Sequence, residues 1–91
     1  DDYMDLSVVI VNYQTFELTK NTINSIFKYE YPFEYEILVV DNASSDDSLA
    51  RLKEYFKDNV TFIASKDNNG FAAGNNQALR IAKGKYVLLL K

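Results

Sequence analysis

Residues 36–46 run Glu36-Ile37-Leu38-Val39-Val40-Asp41-Asn42-Ala43-Ser44-Ser45-Asp46. From Ile37 to Val40 every side chain is aliphatic, so neither face of an extended segment is polar. That is the pattern of a strand buried on both sides of a parallel sheet. The run ends at Asp41, and a polar turn leads to Asp46 and Asp47, two carboxylates suited to the first turn of a helix. Ser44 or Ser45 stands where an N-cap is expected. Leu49, Leu52 and Phe56 then fall on one helical face. The segment is therefore one strand-turn-helix step.

The same step repeats on either side of it. Apolar runs recur at Leu6–Val11, Val60–Ala64 and Tyr86–Leu90. Between the first and second runs, Phe16, Ile23, Ile26 and Phe27 follow a helical period, with Thr15 as N-cap and Pro32 beyond the helix end. Between the third and fourth, Ala72, Gly74, Ala78, Leu79 and Ala82 predict a helix from about Phe71 to Ala82. Its small-residue surface would pack close to a sheet, and Gly84 would end it. The order β-α-β-α-β-α-β predicts an α/β, three-layer, Rossmann-like parallel sheet with right-handed crossovers. The expectation is one domain over residues 1–91, with no internal repeat or linker.

Composition narrows the chemistry. The 91 residues are 47% hydrophobic and 25% charged, with seven Tyr and six Phe, as in a folded globular protein. Ten basic and thirteen acidic residues give a net charge of −3, and no basic stripe suits a nucleic-acid polymer. Cys and His are both absent, which removes thiolate, imidazole and zinc chemistry. Carboxylates, amides, hydroxyls and a hard metal ion remain. The apolar runs are too short to span a bilayer, and the acidic start lacks a signal-peptide pattern, so a cytoplasmic location is expected.

Ligands of open parallel sheets bind beyond the carboxyl ends of the strands. There the sequence places Asn12-Tyr13-Gln14-Thr15, Asp41-Asn42-Ala43-Ser44-Ser45-Asp46 and Ser65-Lys66-Asp67-Asn68-Asn69-Gly70-Phe71. No glycine-rich turn follows the first strand, so neither a dinucleotide fingerprint nor a P-loop is present.

Four segments, Val8-Val9-Ile10-Val11-Asn12-Tyr13, Leu38 to Asp46, Asn69-Gly70-Phe71-Ala72-Ala73-Gly74-Asn75-Asn76 and Gly84 to Leu90, resemble the successive signatures of family 2 glycosyltransferases. The third segment is similar to the rhamnosyltransferase-like branch. The resemblance covers nearly the whole chain. It implies the N-terminal half of a GT-A nucleotide-diphospho-sugar transferase fold.

It also implies residue roles. Tyr13 matches the aromatic that lies against the nucleotide base, with Asn12 beside it. The alternative for Tyr13 is a core residue at a strand end. Asp41 matches the aspartate that accepts a hydrogen bond from the base ring N–H, and the alternative is an Asp closing its own turn. Asn69, Gly70 and Asn76 match the signature near the ribose and phosphate. An ordinary turn explains Asn69-Gly70 equally well. Asn76, inside a small-residue helix, is expected to need a hydrogen-bond partner.

By the resemblance, the parent enzyme moves a sugar with inversion from a UDP- or dTDP-linked donor to a glycan or lipid-linked acceptor, making cell-surface polysaccharide, at the cytoplasmic face of the membrane. A divalent metal, Mg or Mn, would bridge the diphosphate. The acidic metal-binding motif should begin at Lys91, so its ligands are missing and this chain is expected to be inactive alone. No catalytic or metal-binding residue is assigned. A fourth strand without later elements over it is expected to favour weak self-association. The rival readings are a sugar nucleotidyltransferase, which would carry a basic, glycine-rich turn after the first strand, and a non-catalytic flavodoxin-like binding domain.

Overall fold

The computed structural model describes residues 4–12, 15–42, 46–65 and 71–90. Four strands, β1 (Met4–Asn12), β2 (Tyr35–Asn42), β3 (Thr61–Ser65) and β4 (Gly84–Leu90), alternate with helices α1 (Phe16–Phe27), α2 (Ser48–Phe56) and α3 (Phe71–Ile81). A short 3-10 turn, Lys57–Asn59, follows α2. The sheet is parallel in the order β3-β2-β1-β4.

This order puts the helices on opposite faces. From β1 the chain steps to β2 and β3 in one direction, then crosses back to β4 on the far side of β1. Right-handed crossovers in opposite directions lay α1 and α2 on one face and α3 on the other. The core divides accordingly. Val8, Ile10, Ile37 and Val39 meet Ile23 of α1 and Leu52 and Phe56 of α2. On the other face Val9, Leu38 and Val40 meet Ala78 of α3. The single methyl of Ala78 lets that helix lie close to the sheet.

The middles of β1 and β2, Val8 to Ile10 and Ile37 to Val40, are buried on both faces, as their aliphatic runs predicted. β4 is not. Tyr86, Val87, Leu88 and Leu89 are 66%, 38%, 47% and 43% exposed. The helices sit over β1, β2 and β3, while β4 is an edge strand paired to β1 alone. Its apolar sequence therefore does not imply burial within this chain. Leu79, expected on the packing surface of α3, is exposed as well, because Ala78 and Ala82 are the residues turned to the sheet.

Polar contacts mark both ends of the β1–β2 ladder. Ser7 stands opposite Glu36 in register, and its hydroxyl donates to Glu36 Oε2 at 2.6 Å. The backbone N–H of Lys83 reaches the same oxygen at 2.7 Å, and that of Gly84 donates to Ser7 Oγ at 2.8 Å. At the carboxyl end Asn12 stands opposite Asp41.

Candidate functional site

The carboxyl ends of β1 and β2 carry a buried polar network. Asn12 and Ser48 are fully buried, and Thr19 and Asp41 are 3% and 4% exposed. Asn12 is the last residue of β1, and its side chain points to the α1–α2 face. Its Nδ2 donates to Asp41 Oδ1 at 2.8 Å and to Ser48 Oγ at 3.0 Å. Its Oδ1 accepts from Thr19 Oγ1 at 2.8 Å and from Thr15 Oγ1 at 3.2 Å. Both amide donors and both carbonyl lone pairs are thus engaged.

Chemistry fixes the sense of these bonds. An ionised carboxylate only accepts, so the nitrogen end of the Asn12 amide must face Asp41. The oxygen end then faces the hydroxyls of α1, which can donate. Burial makes each partner matter, since an unpaired polar group here would cost about 1–3 kcal/mol.

Each helix supplies its contact through its first turn. Thr15 occupies the N-cap position of α1, yet it makes no side-chain cap bond. Its hydroxyl is turned to Asn12 instead. α2 begins at Ser48, after the stretch where Ser44 or Ser45 was expected to cap it. Its first N–H, that of Ser48, is bound by Asp46 Oδ1 at 3.1 Å. The hydroxyl and then the N–H of Ser48 hold the Asp46 carboxyl below the usual aspartate value, with a weaker contribution from Arg51.

Of the residues singled out in the sequence, Asn12 and Asp41 come together. Tyr13, Asn69 and Gly70 lie outside the described residues, as does Lys91. Asn76 sits exposed on α3, so burial does not force the protein partner expected for it. Thr19 and Ser48 were missed. A signal for Thr19 existed, because Phe16, Thr19, Ile23 and Ile26 share one helical stripe.

Among the described residues no group of three or more His, Cys, Asp or Glu side chains could hold a metal ion. The residues described therefore do not fit a divalent cofactor, and no step through one is derived. The most enclosed apolar groove, about 180 Å³, lies elsewhere, between Leu6, Val8, Ile26, Tyr31, Phe33, Tyr35, Leu88 and Leu90. It contains no member of the Asn12 network, and nothing in its lining suggests group-transfer chemistry.

The sequence profile described as "Glycosyl transferase family 2" matches residues 7–90. The chain belongs to glycosyl transferase family 2. Membership sets aside the nucleotidyltransferase and flavodoxin-like readings. A poly(ribitol-phosphate) β-glucosyltransferase of Bacillus spizizenii is 38% identical over 91 residues, covering 96% of this chain and 14% of the relative. The Staphylococcus aureus TarS 1–349 structure in complex with UDP has a TM-score of 0.83 and 30% identity, over 96% of this chain and 27% of TarS. A mannosyltransferase of Pyrobaculum calidifontis, in complex with GDP-Man and Mn2+, has a TM-score of 0.78 and 29% identity, over 93% of this chain and 26% of its own. The chain therefore spans about a quarter or less of these relatives. Its fold is that of the N-terminal part of GT-A enzymes. The family 2 membership is shown, and these three relatives are not named as rhamnosyltransferases. No helix of the described residues is long and apolar enough to cross a membrane.

Proposed function

We propose that this chain is the nucleotide-recognising part of an inverting family 2 glycosyltransferase, using a nucleoside-diphosphate sugar to glycosylate a cell-surface polymer. The observation that carries the proposal is the Asn12–Asp41 pair at the carboxyl edge of β1 and β2. This edge is where sheets of this topology receive ligands. A buried carboxylate there is suited to accept the ring N–H of a pyrimidine base. Tyr13, next along the chain, would lie against the base, and Asn69, Gly70 and Asn76 would approach the ribose and phosphates.

The UDP complex of TarS supports uridine as the carrier, with thymidine the close chemical alternative, since both bases present a ring N–H. The relatives' names support a hexose or N-acetylhexosamine donor over rhamnose. In the parent enzyme a carboxylate base takes the proton of the acceptor hydroxyl as its oxygen attacks the anomeric carbon. The nucleoside diphosphate departs from the opposite side, which inverts the centre. A divalent ion on the diphosphate would be held by residues other than those described. The 91-residue chain binds nucleotide in this reading and does not transfer sugar by itself.

The test is an NMR titration of labelled protein with uridine diphosphate and thymidine diphosphate, each with and without Mg or Mn. Shifts at Tyr13, Asp41 and Asn76, largely independent of metal, are expected. No shift at millimolar nucleotide would remove the reading for this chain. Sugar transfer by the purified chain would refute its inactivity.

A further inference from the structure

We infer that Thr19 and Ser48 are positioning residues that make Asp41 selective for a base with a ring N–H, acting through the Asn12 amide. The inference rests on the proposal that Asp41 meets the base.

An asparagine side chain has two nearly isosteric orientations, and only its partners choose between them. Thr19 donates to Asn12 Oδ1 at 2.8 Å, with Thr15 behind it at 3.2 Å. Ser48 receives an Nδ2 proton at 3.0 Å. Together they hold the amide with its nitrogen end on Asp41 Oδ1, 2.8 Å away. Held in this way, Asp41 is offered to a ligand as a hydrogen-bond acceptor. The imide N–H of uracil or thymine is a donor and matches it, whereas the ring nitrogen of cytosine at the same place is an acceptor and repels it. If the amide turned over, its carbonyl oxygen would face Asp41, and the clash of two acceptors would displace the carboxyl. The preference for an imide base would be lost with it.

The network is also built from separate elements. Thr19 belongs to α1, Asn12 to β1, Asp41 to β2 and Ser48 to α2. A group positioned from four elements moves little, so a hydroxyl remote from the ligand can set the carboxylate's aim.

The experiment compares the binding of uridine diphosphate and cytidine diphosphate to the chain and its variants by NMR titration. The parent should prefer uridine diphosphate. Thr19→Val removes one hydroxyl at constant shape and should weaken uridine diphosphate about tenfold while changing cytidine diphosphate little. Thr19→Ser should restore the preference. The Asn12 side-chain N–H signals, slow to exchange in the parent, should exchange quickly in Thr19→Val. If that variant fails to give a dispersed spectrum, Ser48→Ala carries the same comparison. An unchanged uridine-to-cytidine ratio in folded Thr19→Val or Ser48→Ala would overturn the inference. Asp41→Asn separates the two claims. If it binds both nucleotides as the parent does, the base reading fails and the inference with it. If it loses the preference and Thr19→Val keeps it, the positioning role alone fails.

Discussion

Asn12 and Asp41 are register partners at the carboxyl end of the β1–β2 ladder, joined by a 2.8 Å hydrogen bond within a network closed to solvent. The bond ties the carboxyl edge of the sheet to the packing of both helices on one face. Asn12→Ala would leave Thr19, Ser48 and Asp41 short of a partner in buried surroundings. The expected loss is about 3 kcal/mol, the range for breaking a buried polar network. Urea denaturation measures it, and a change below about 0.5 kcal/mol would mean that the network rearranges freely.

Gly84 has no room for a side chain. A Cβ there would lie 2.4 Å from the backbone nitrogen of Ser7 and 2.6 Å from the carbonyl carbon of Leu6. Both are atoms of β1, which is fixed between β2 and β4 and cannot give way locally. Gly84→Ala should push β4 off its neighbour and destabilise the protein by about 2 kcal/mol or more. Amide exchange should then rise along Leu88–Leu90 before it rises in β2.

Asp46 predicts the sign of an acid effect. Its carboxyl is held below its ordinary value by the Ser48 hydroxyl and N–H, so the folded state favours the charged form. The associated stability is present above the unfolded value of about 3.9 and is lost as pH falls through the folded one. Asp46→Asn should therefore show a shallower fall in melting temperature below about pH 4 than the parent, with the curves parallel near neutrality. Because Asp46 is exposed, the difference should be small and should shrink in high salt.

The open side chains of β4 predict association between copies. Tyr86, Val87, Leu88 and Leu89 present apolar surface along an edge whose backbone can still pair. Sedimentation velocity should show weak, concentration-dependent association of the 91-residue chain. Tyr86→Lys should suppress it with little loss of stability, since Tyr86 is 66% exposed. A monomer at all concentrations would refute this.

The order of elements along the chain was legible because aliphatic runs and helical stripes are strong local patterns. Ile37–Val40 could only be a doubly buried strand, and Leu52 with Phe56 could only be the inner face of a helix. The exposure of β4, Leu88 included, followed from the expectation that no later element covers it and not from its aliphatic composition, which says what a strand would bury and not whether a neighbour arrives. Asp41 and Asn12 were legible from their place after aliphatic strands together with the family signatures. Thr19 and Ser48 were not. The helical stripe of Phe16, Thr19, Ile23 and Ile26 marks Thr19 as inward-facing, but the partner of its hydroxyl and that of Ser48 lie on other elements, which a local pattern does not name. Asn76 was expected to need a hydrogen-bond partner, and its exposure on α3 is a matter of helix phase that its small neighbours do not fix.

The Ser7–Glu36 and Asn12–Asp41 contacts have a consequence for how the chain finds its structure. Between them, Val8–Val11 and Ile37–Val40 are nearly interchangeable aliphatics, and such strands can slide past one another at little energetic penalty. The two polar pairs lie on opposite faces of the sheet, Ser7–Glu36 on the α3 side and Asn12–Asp41 on the α1–α2 side. A slide by one residue would turn each to the wrong face, and a slide by two would break both pairs, setting Ser7 against Leu38 and Asp41 against Ile10 in one direction, or Glu36 against Val9 and Asn12 against Val39 in the other. They work like two marks on an otherwise blank ruler, and only one alignment satisfies both. The proposed recognition and the uniqueness of the fold therefore draw on a shared pair of residues. Drift at Asn12 or Asp41 that altered ligand choice would also blur the alignment of the chain's two central strands.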